Sequence, residues 1–421
     1  MSNTKNKIKV GVVTAQIKWF GRAQHDSEAK EFKLLALTLG YEVAAEFSQK
    51  LDRPHSNTYL SKGKVLEIKQ ASEDMKLDKI LISSDISPSQ SKSLESAFKI
   101  PVIDRSGLVL EIFEKHASTN QAKTQVALAK LNYQLPRLTG LWTHLDRERG
   151  GSNVSKGMGE RQINVDRSLL RKRITTLNDR LAKIATRHEV QTKQQKSKLN
   201  ICLAGYTNVG KSSIMKEITG VNVKAQDDLF TTLSTTTRQM LSKFKPDILV
   251  SDTVGFIRDL PPDLIKAFRT TLASLLSADL IIHVCDFSDP NWEYKLRSAY
   301  QIFTDIGADG IPELLVFNKM DKVSTANKFY LQKSYPNAIL VTTHAKEDMK
   351  ALRLKIESLF QKTFIRKKLS IRQDNSSYIQ YLYRNAVIDQ IKYCPKTIKV
   401  SASMSSEGWK KFDKHFACID C

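Results

Sequence analysis

The chain has 421 residues, with 66 Lys plus Arg against 44 Asp plus Glu, for a formal charge of +22. That length predicts roughly two to four domains, and 41% hydrophobic residues exclude wholesale disorder. The richest apolar stretch, Leu275 to Phe287, is short and broken by Asp279, His283 and Asp286, so no membrane span of ~20 residues is expected.

The start, Met1 to Lys9, is polar and lysine-rich. With neither an apolar signal core nor an Arg/Ser-rich leader, a cytoplasmic protein is expected. Strand patterns then fall at Ile8–Val13, Glu42–Phe47, Lys79–Ser83 and Val102–Ile103, and helical patterns at Glu28–Leu39, Lys64–Ala71, Ser89–Phe98 and Gly107–Ala117. Their alternation predicts a small parallel α/β domain over residues 1–117.

The period then changes. Thr124, Leu128, Leu131 and Leu135 are spaced 4, 3, 4, and Leu170, Ile174, Leu177, Leu181 and Ile184 are spaced 4, 3, 4, 3. This is the seam spacing of paired helices. It predicts an antiparallel helical hairpin over 118–198, with a tip at Thr139 to Gly159. The tip carries Gly140, Gly150, Gly151, Gly157 and Gly159, together with Trp142, His144, Arg147, Arg149 and Lys156. Arginines contact phosphate and aromatic rings stack on unpaired bases. Gln191 to Lys198 reads as a linker.

Residues 199–364 return to strand–helix alternation. The strand Asn200 to Ala204 runs into Gly205-Tyr206-Thr207-Asn208-Val209-Gly210-Lys211-Ser212 and then a helix. This is G-x-x-x-x-G-K-[ST] in its strand–loop–helix setting. Backbone N–H groups and the helix N-terminus cradle phosphates there, Lys211 reaches the β/γ-phosphates and Ser212 ligates Mg²⁺. After the strand Ile248–Val250 comes Asp252-Thr253-Val254-Gly255. Asp252 is expected in the Mg²⁺ shell, and the Gly255 amide against the γ-phosphate. After Leu314–Phe317 comes Asn318-Lys319-Met320-Asp321, an N-K-x-D string that selects guanine. Its Asp accepts from the N1–H and N2–H₂ edge, and adenine would leave that buried carboxylate unpaired. GTP, not ATP, is therefore the expected substrate.

Between the first two motifs lies Leu229-Phe230-Thr231-Thr232-Leu233-Ser234-Thr235-Thr236-Thr237-Arg238. One of its threonines is expected to complete the Mg²⁺ shell and close on the γ-phosphate, and composition does not single it out. Residues 365–421 read as a small basic α+β domain, with strands at Leu369–Arg372 and Thr397–Ser401 and helices at Ser376–Tyr383 and Ser405–His415. The expected fold class is thus α/β: a P-loop GTPase (Ras-like) domain preceded by a small α/β domain with a helical hairpin, and followed by a small α+β domain. Five cysteines make no disulfide framework. The terminal Cys418-x-x-Cys421 lacks the second ligand pair of a zinc site.

The charge is localised. Residues 137–200 carry +9 and residues 361–421 carry +7, against +1 for 201–360 and +5 for 1–136. Two basic segments beside a near-neutral module are the footprint of a polyanion partner.

Nearly end to end, these residues resemble the HflX family of ribosome-associated GTPases. The strings are GYTNVGKS, LFTTLSTTTR, DTVGFIRDLPPDLIKAF and NKMD, with RPHSNTYLSKGK (53–64), SPSQ (87–90), IDRSGLVLEIF (103–113), QVALAKLNYQLPRL (125–138) and GMGERQINVDR (157–167). The resemblance implies a GTPase that binds the large ribosomal subunit and its rRNA, and that dissociates or rescues stalled ribosomes under stress; a monomer is expected. It places Phe230, Thr231, Thr232, Leu233 and Ser234 at the nucleotide, with Thr232 on Mg²⁺. Catalytic roles fall to Lys211, Thr232 and Gly255. Thr342-Thr343-His344 aligns with a Ser-Ala pair near the base, where a backbone N–H contacts guanine O6.

The Thr342-Thr343-His344 string departs from the family pattern, and so does the tip. The tip reads Gly150-Gly151-Ser152-Asn153-Val154-Ser155-Lys156-Gly157-Met158-Gly159-Glu160 where the family has G-G-G-I-G-T-R-G-P-G-E. After D-x-x-G, where many GTPases place a Gln to orient water, stands Phe256, which cannot do so. Slow intrinsic hydrolysis stimulated by the ribosome is therefore expected. Asn208 resembles the P-loop Asn of potassium-activated GTPases, so K⁺ is a candidate cofactor. A ribosome-assembly factor using GTP as a conformational switch is the alternative function.

Overall fold

The first apolar run becomes an inner strand of a sheet because Val10, Val12, Val13 and Ala15 are buried on its two faces. The computed structural model describes residues 7–17, 22–138, 153–194, 198–221, 236–253, 255–257, 274–373 and 376–417. They fall in two units, one drawn chiefly from residues 1–185 and the other chiefly from the chain beyond.

In the first unit, β1 (Lys9–Ile17), α1 (Arg22–Thr38), β2 (Glu42–Leu51), α2 (Lys62–Asp74), β3 (Lys79–Ile82), α3 (Pro88–Phe98), β4 (Val102–Ile103) and α4 (Arg105–His116) alternate along the chain. The sheet is parallel in the order β2-β1-β3-β4. One core packs Phe47, Leu60, Ile68, Ile80, Leu94 and Phe98. Family-like strings here are helix starts. In SPSQ, Ser87 caps α3 and Gln90 bonds back to the Ser87 N–H, with Pro88 in the first turn. Asp104 of IDRSG caps α4 through the Gly107 N–H.

Next comes α5 (Asn120–Gln134), which packs on α4. Its buried stripe is Ala122, Gln125, Val126, Leu128 and Ala129. Only Leu128 of the predicted seam is fully buried; small residues beside it bring α5 close to α4. Past its end, Arg137 pairs with the buried Asp104 at 2.6 Å, and the Tyr133 hydroxyl donates to the same carboxylate at 2.7 Å. Helix α6 (Asn153–Gln194) has 42 residues and is about 63 Å long at 1.5 Å per residue. Residues 153–159, expected in the turn, are helical, as are 191–194 of the expected linker. A long cooperative helix absorbs the cost of Gly157 and Gly159, about 1 kcal/mol each. The remainder of the predicted tip lies outside the described residues. Along the described side chains of α6, burial varies with the predicted spacing. Leu170, Ile174, Leu177, Leu181 and Ile184 are half-buried on an otherwise exposed stretch.

The second unit holds β5 (Leu199–Gly205), α7 (Lys211–Thr219), β6 (Thr236–Gln239), β7 (Ile248–Asp252), β8 (Leu280–Asp286), α8 (Trp292–Ile306), β9 (Glu313–Asn318), α9 (Thr325–Ser334), β10 (Ile339–Leu340) and α10 (Lys346–Thr363). The sheet order is β10-β9-β8-β5-β7-β6, parallel except that β6 runs against β7. Strands β5, β8 and β9 end together, so the loops that follow them share one edge, where open α/β sheets bind ligands. After them come β11 (Ile365–Arg372), α11 (Ser376–Asn385), β12 (Val387–Tyr393), β13 (Thr397–Met404) and α12 (Ser406–Ala417). They form an antiparallel sheet, β11-β13-β12, and both helices contribute to the core on one face of it.

No described helix is long and apolar enough to cross a membrane. Of the cysteines, Cys202 and Cys285 are buried and free, and Cys394 is free and half-buried. Cys418 and Cys421 lie outside the described residues.

Candidate functional site

Strand β5 delivers the phosphate loop to the sheet edge. Its last residues are buried, so the chain must turn at Gly205, and α7 starts at Lys211. Lys211 is 6% exposed. Its Nζ donates to the carbonyls of Gly205 (3.1 Å) and Tyr206 (2.7 Å), inside the curl of the loop. Burial pushes this ammonium down to about 8, against the opposing pull of the Asp252 carboxylate. A phosphate in the curl would offer it a stronger, charge-assisted partner.

The Ser212 hydroxyl donates to Asp252 Oδ2 at 2.7 Å, and Asp252 is 1% exposed. A hydroxyl and a carboxylate oxygen, converging beside a phosphate cradle, are the hard donors Mg²⁺ prefers. One carboxylate is enough when substrate phosphates complete the shell. No group of three His, Cys, Asp or Glu that could hold a metal occurs among the described residues. The Thr253 hydroxyl turns away and donates to Leu203 O at 2.7 Å, tying β7 to β5.

Gly255 lies flat against the loop. A Cβ there would sit 2.8 Å from Thr207 Cγ2 and 2.9 Å from Lys211 Nζ, so only glycine allows this approach. Next, Phe256 N–H donates to Gly205 O (3.0 Å) and Thr207 N–H donates to Phe256 O (2.7 Å). The Phe256 ring is 1% exposed and packs edge-on against Phe303. The residue that follows D-x-x-G is therefore a core residue.

The base-recognition loop is locked onto the phosphate loop. Asn318 Nδ2 donates to Val209 O at 2.9 Å, and Thr343 Oγ1 donates to Asn318 Oδ1 at 2.8 Å. Lys319 Nζ donates to Asn208 O and pairs with Asp286, both at 2.8 Å. Gly210 has φ +94, and a Cβ there would lie 2.3 Å from Asn318 Nδ2. Asn208 is exposed, as is Asp321, while Val209 is buried. Met320 is buried in the Phe317–Trp292–Leu331 core, so its side chain holds the loop down. Of the Thr342–His344 string, Thr342 N–H donates to Asp348 and His344 is exposed. Only Thr343 joins the site through its side chain. Phe230, Thr231, Thr232, Leu233, Ser234 and Val254 lie outside the described residues.

Sequence reasoning missed a supporting cluster. The Lys295 ammonium sits 4.8 Å from the Tyr206 ring centroid and pairs with Asp289, steadying the loop from behind. Burial alone would raise the Asp289 carboxyl. Hydrogen bonds from Lys295 and the Asn291 N–H outweigh that and hold it below the usual carboxylate range. The available signal was the Asp286-Phe287-Ser288-Asp289 string at the end of β8.

Comparison with known proteins returns three successive family models. They are "GTP-binding GTPase N-terminal" over residues 26–114, "GTP-binding GTPase Middle Region" over 116–195 and "50S ribosome-binding GTPase" over 200–319. The chain is 38% identical to GTPase HflX of Flavobacterium psychrophilum, covering 76% of each protein. It is 34% identical to GTPase HflX of Gluconacetobacter diazotrophicus, covering 90% of each. Among solved structures, a GTP-binding protein from Sulfolobus solfataricus in complex with GDP matches 83% of this chain and 98% of its own, at 24% identity and a TM-score of 0.44.

Proposed function

Because the chain belongs to the HflX family of GTPases, we propose that it associates with the large ribosomal subunit in its GTP-bound state and hydrolyses GTP there, so that stalled ribosomes are dissociated or rescued under stress. GTP binding and hydrolysis are the family's activity, and a family model named for 50S ribosome binding matches residues 200–319. The observation that carries the nucleotide part is the Asn318 amide. It joins the base loop to the phosphate loop in one hydrogen-bonded network.

In this reading the loop amides from Gly205 to Ser212 and the Lys211 ammonium hold the phosphates. Asp321 and Asn318 read guanine, and the Gly255 amide senses the γ-phosphate. Ser212 and Asp252, joined by Thr232 on family resemblance, would hold Mg²⁺, which would supply charge neutralisation at the phosphates. Phe256 is held in the core and cannot orient water, so intrinsic turnover is slow and the ribosome supplies the missing organisation. The exposed Asn208 makes K⁺ part of the proposal, and equal turnover in K⁺ and Na⁺ buffers would remove it. The proposed setting is a cytoplasmic monomer. The basic segments 137–200 and 361–421 make the rRNA contacts.

The test is sedimentation through sucrose with ribosomes and a non-hydrolysable GTP analogue. Co-migration with large subunits, lost in Lys211→Ala, is expected. Failure to co-migrate overturns the ribosomal reading. Loss of intact ribosomes separates dissociation from an assembly role.

A further inference from the structure

The sheet of the last domain has two chemically opposite faces. Toward α11 and α12 it presents Leu369, Ile371, Ile398, Val400 and Ala402, packed with Tyr378, Trp409, Phe412 and Phe416. The alternate residues project from the other side. There β11 carries Arg366, Lys368 and Arg372, β13 carries Lys399 and β12 carries Lys392, and all five are exposed. The three strands contain one acidic residue, Asp389, and it is taken by Arg366 (3.0 Å) and the Ser403 hydroxyl (2.9 Å). Lys368, Lys392 and Lys399 have no ion-pair partner among the described residues.

Lys392 and Lys399 are directly opposite one another, and like charges so placed destabilise a sheet. Stability does not explain the arrangement; an anionic ligand does. Between the cations stand hydroxyls and an amide, with Ser370 opposite Lys399 and Ser401 between Lys368 and Gln390. Mixed cations and hydroxyl or amide donors are the groups that contact phosphate and ribose. Neighbouring strands lie about 5 Å apart and alternate residues about 7 Å apart along a strand, so the cations form a two-dimensional raft.

We propose that this open face binds the sugar–phosphate backbone of RNA without reading its bases. Tyr393, the one aromatic residue on the three strands, is paired with the buried Ile398 and so lies on the helix side. No stacking platform for bases exists on the open face. An acidic protein is the poorer fit, because protein interfaces rely on aromatic and apolar anchors at their centre, and this face has no aromatic residue and carries Val387 only at its end, opposite Ser403. The proposal rests on the ribosomal reading for its natural target, but its test uses naked RNA.

The experiment titrates a fluorescently labelled RNA hairpin with the full chain at several KCl concentrations. Lys368→Gln/Lys392→Gln/Lys399→Gln is compared with Lys410→Gln/Lys411→Gln/Lys414→Gln, which removes equal charge from α12. Each lost phosphate contact flattens the slope of log affinity against log salt by about 0.7–0.9. The sheet variant should therefore flatten it by about 2–3, and the helix variant should leave it near wild type. The sheet variant's melting temperature should hold or rise as the Lys392–Lys399 repulsion is relieved. If it falls, Lys368→Gln alone is read, with a slope change of about 0.7–0.9. An unchanged slope, or equal loss in both triple variants, overturns the proposal. So does poly-L-glutamate binding as tightly as RNA with the same sensitivity to the sheet variant, which would mark an acidic-protein site. A slope change alongside failed ribosome sedimentation would leave the face standing and remove only the ribosomal reading.

Discussion

Replacing Thr343 with valine isolates the least expected contact of the nucleotide site. Valine keeps the branched shape but deletes the hydroxyl that donates to Asn318 Oδ1 at 2.8 Å. Both residues are buried, at 7% and 2% exposure, so water cannot easily replace the lost donor. An unsatisfied buried acceptor costs about 1–3 kcal/mol. For a domain of this size each kcal/mol lowers the melting temperature by about 2–4 °C. The Asn318 amide would still donate to Val209 O, so its position is loosened but not lost. GDP affinity should fall about tenfold, which corresponds to about 1.4 kcal/mol. A fluorescent-nucleotide titration and a thermal melt measure the two effects. Thr343→Ser retains the hydroxyl and should recover most of both. If Thr343→Val binds GDP within twofold of wild type and melts at the same temperature, the Thr343–Asn318 contact does not organise the base loop.

Other outcomes follow from the same geometry. With the Lys211 ammonium at about 8 in the free chain, binding phosphate must take up a proton above that pH. Affinity should then fall about fourfold between pH 7 and 8.5 by the two-state titration curve, whereas Lys211→Arg should give a flat profile; a flat wild-type profile refutes it. Gly210→Ala forces a Cβ to 2.3 Å from Asn318 Nδ2 at φ +94, and calorimetry should show nucleotide affinity lowered at least a hundredfold. Phe256→Gln should not accelerate intrinsic hydrolysis, because backbone bonds to Gly205 and Thr207 hold that residue in the core. Burying an amide there should cost about 1–3 kcal/mol of stability. A rise in single-turnover rate would contradict that placement.

Much of the site was legible because its chemistry needs particular residue types at fixed spacing. A strand, a glycine-framed loop and a lysine leave few other arrangements, and the structure puts Lys211, Ser212 and Asp252 together. The first sheet was equally readable, since Val and Ile runs on a parallel sheet are buried on both faces. Less legible were contacts between side chains far apart in sequence. Nothing in Thr343 alone announces that its hydroxyl meets Asn318, nor in Lys295 that it lies on Tyr206. The start of α6 was misread because glycines suggest a turn locally, whereas a 42-residue helix is decided cooperatively. The C-terminal domain was legible as a small basic α+β unit, but the two faces of its sheet were not. Strand register, which sorts charges to one side, is a property of the pairing.

The contact between Asn318 and the phosphate loop also bears on how such a chain can change over generations. Val209 and Asn318 stand 109 positions apart, yet the amide that bonds one is the atom that bars a side chain from Gly210. A side chain at position 210 would meet the amide of residue 318, so what one position tolerates depends on the other. A chimera that joins the two motifs from parents differing at either position should therefore fold but bind nucleotide more weakly.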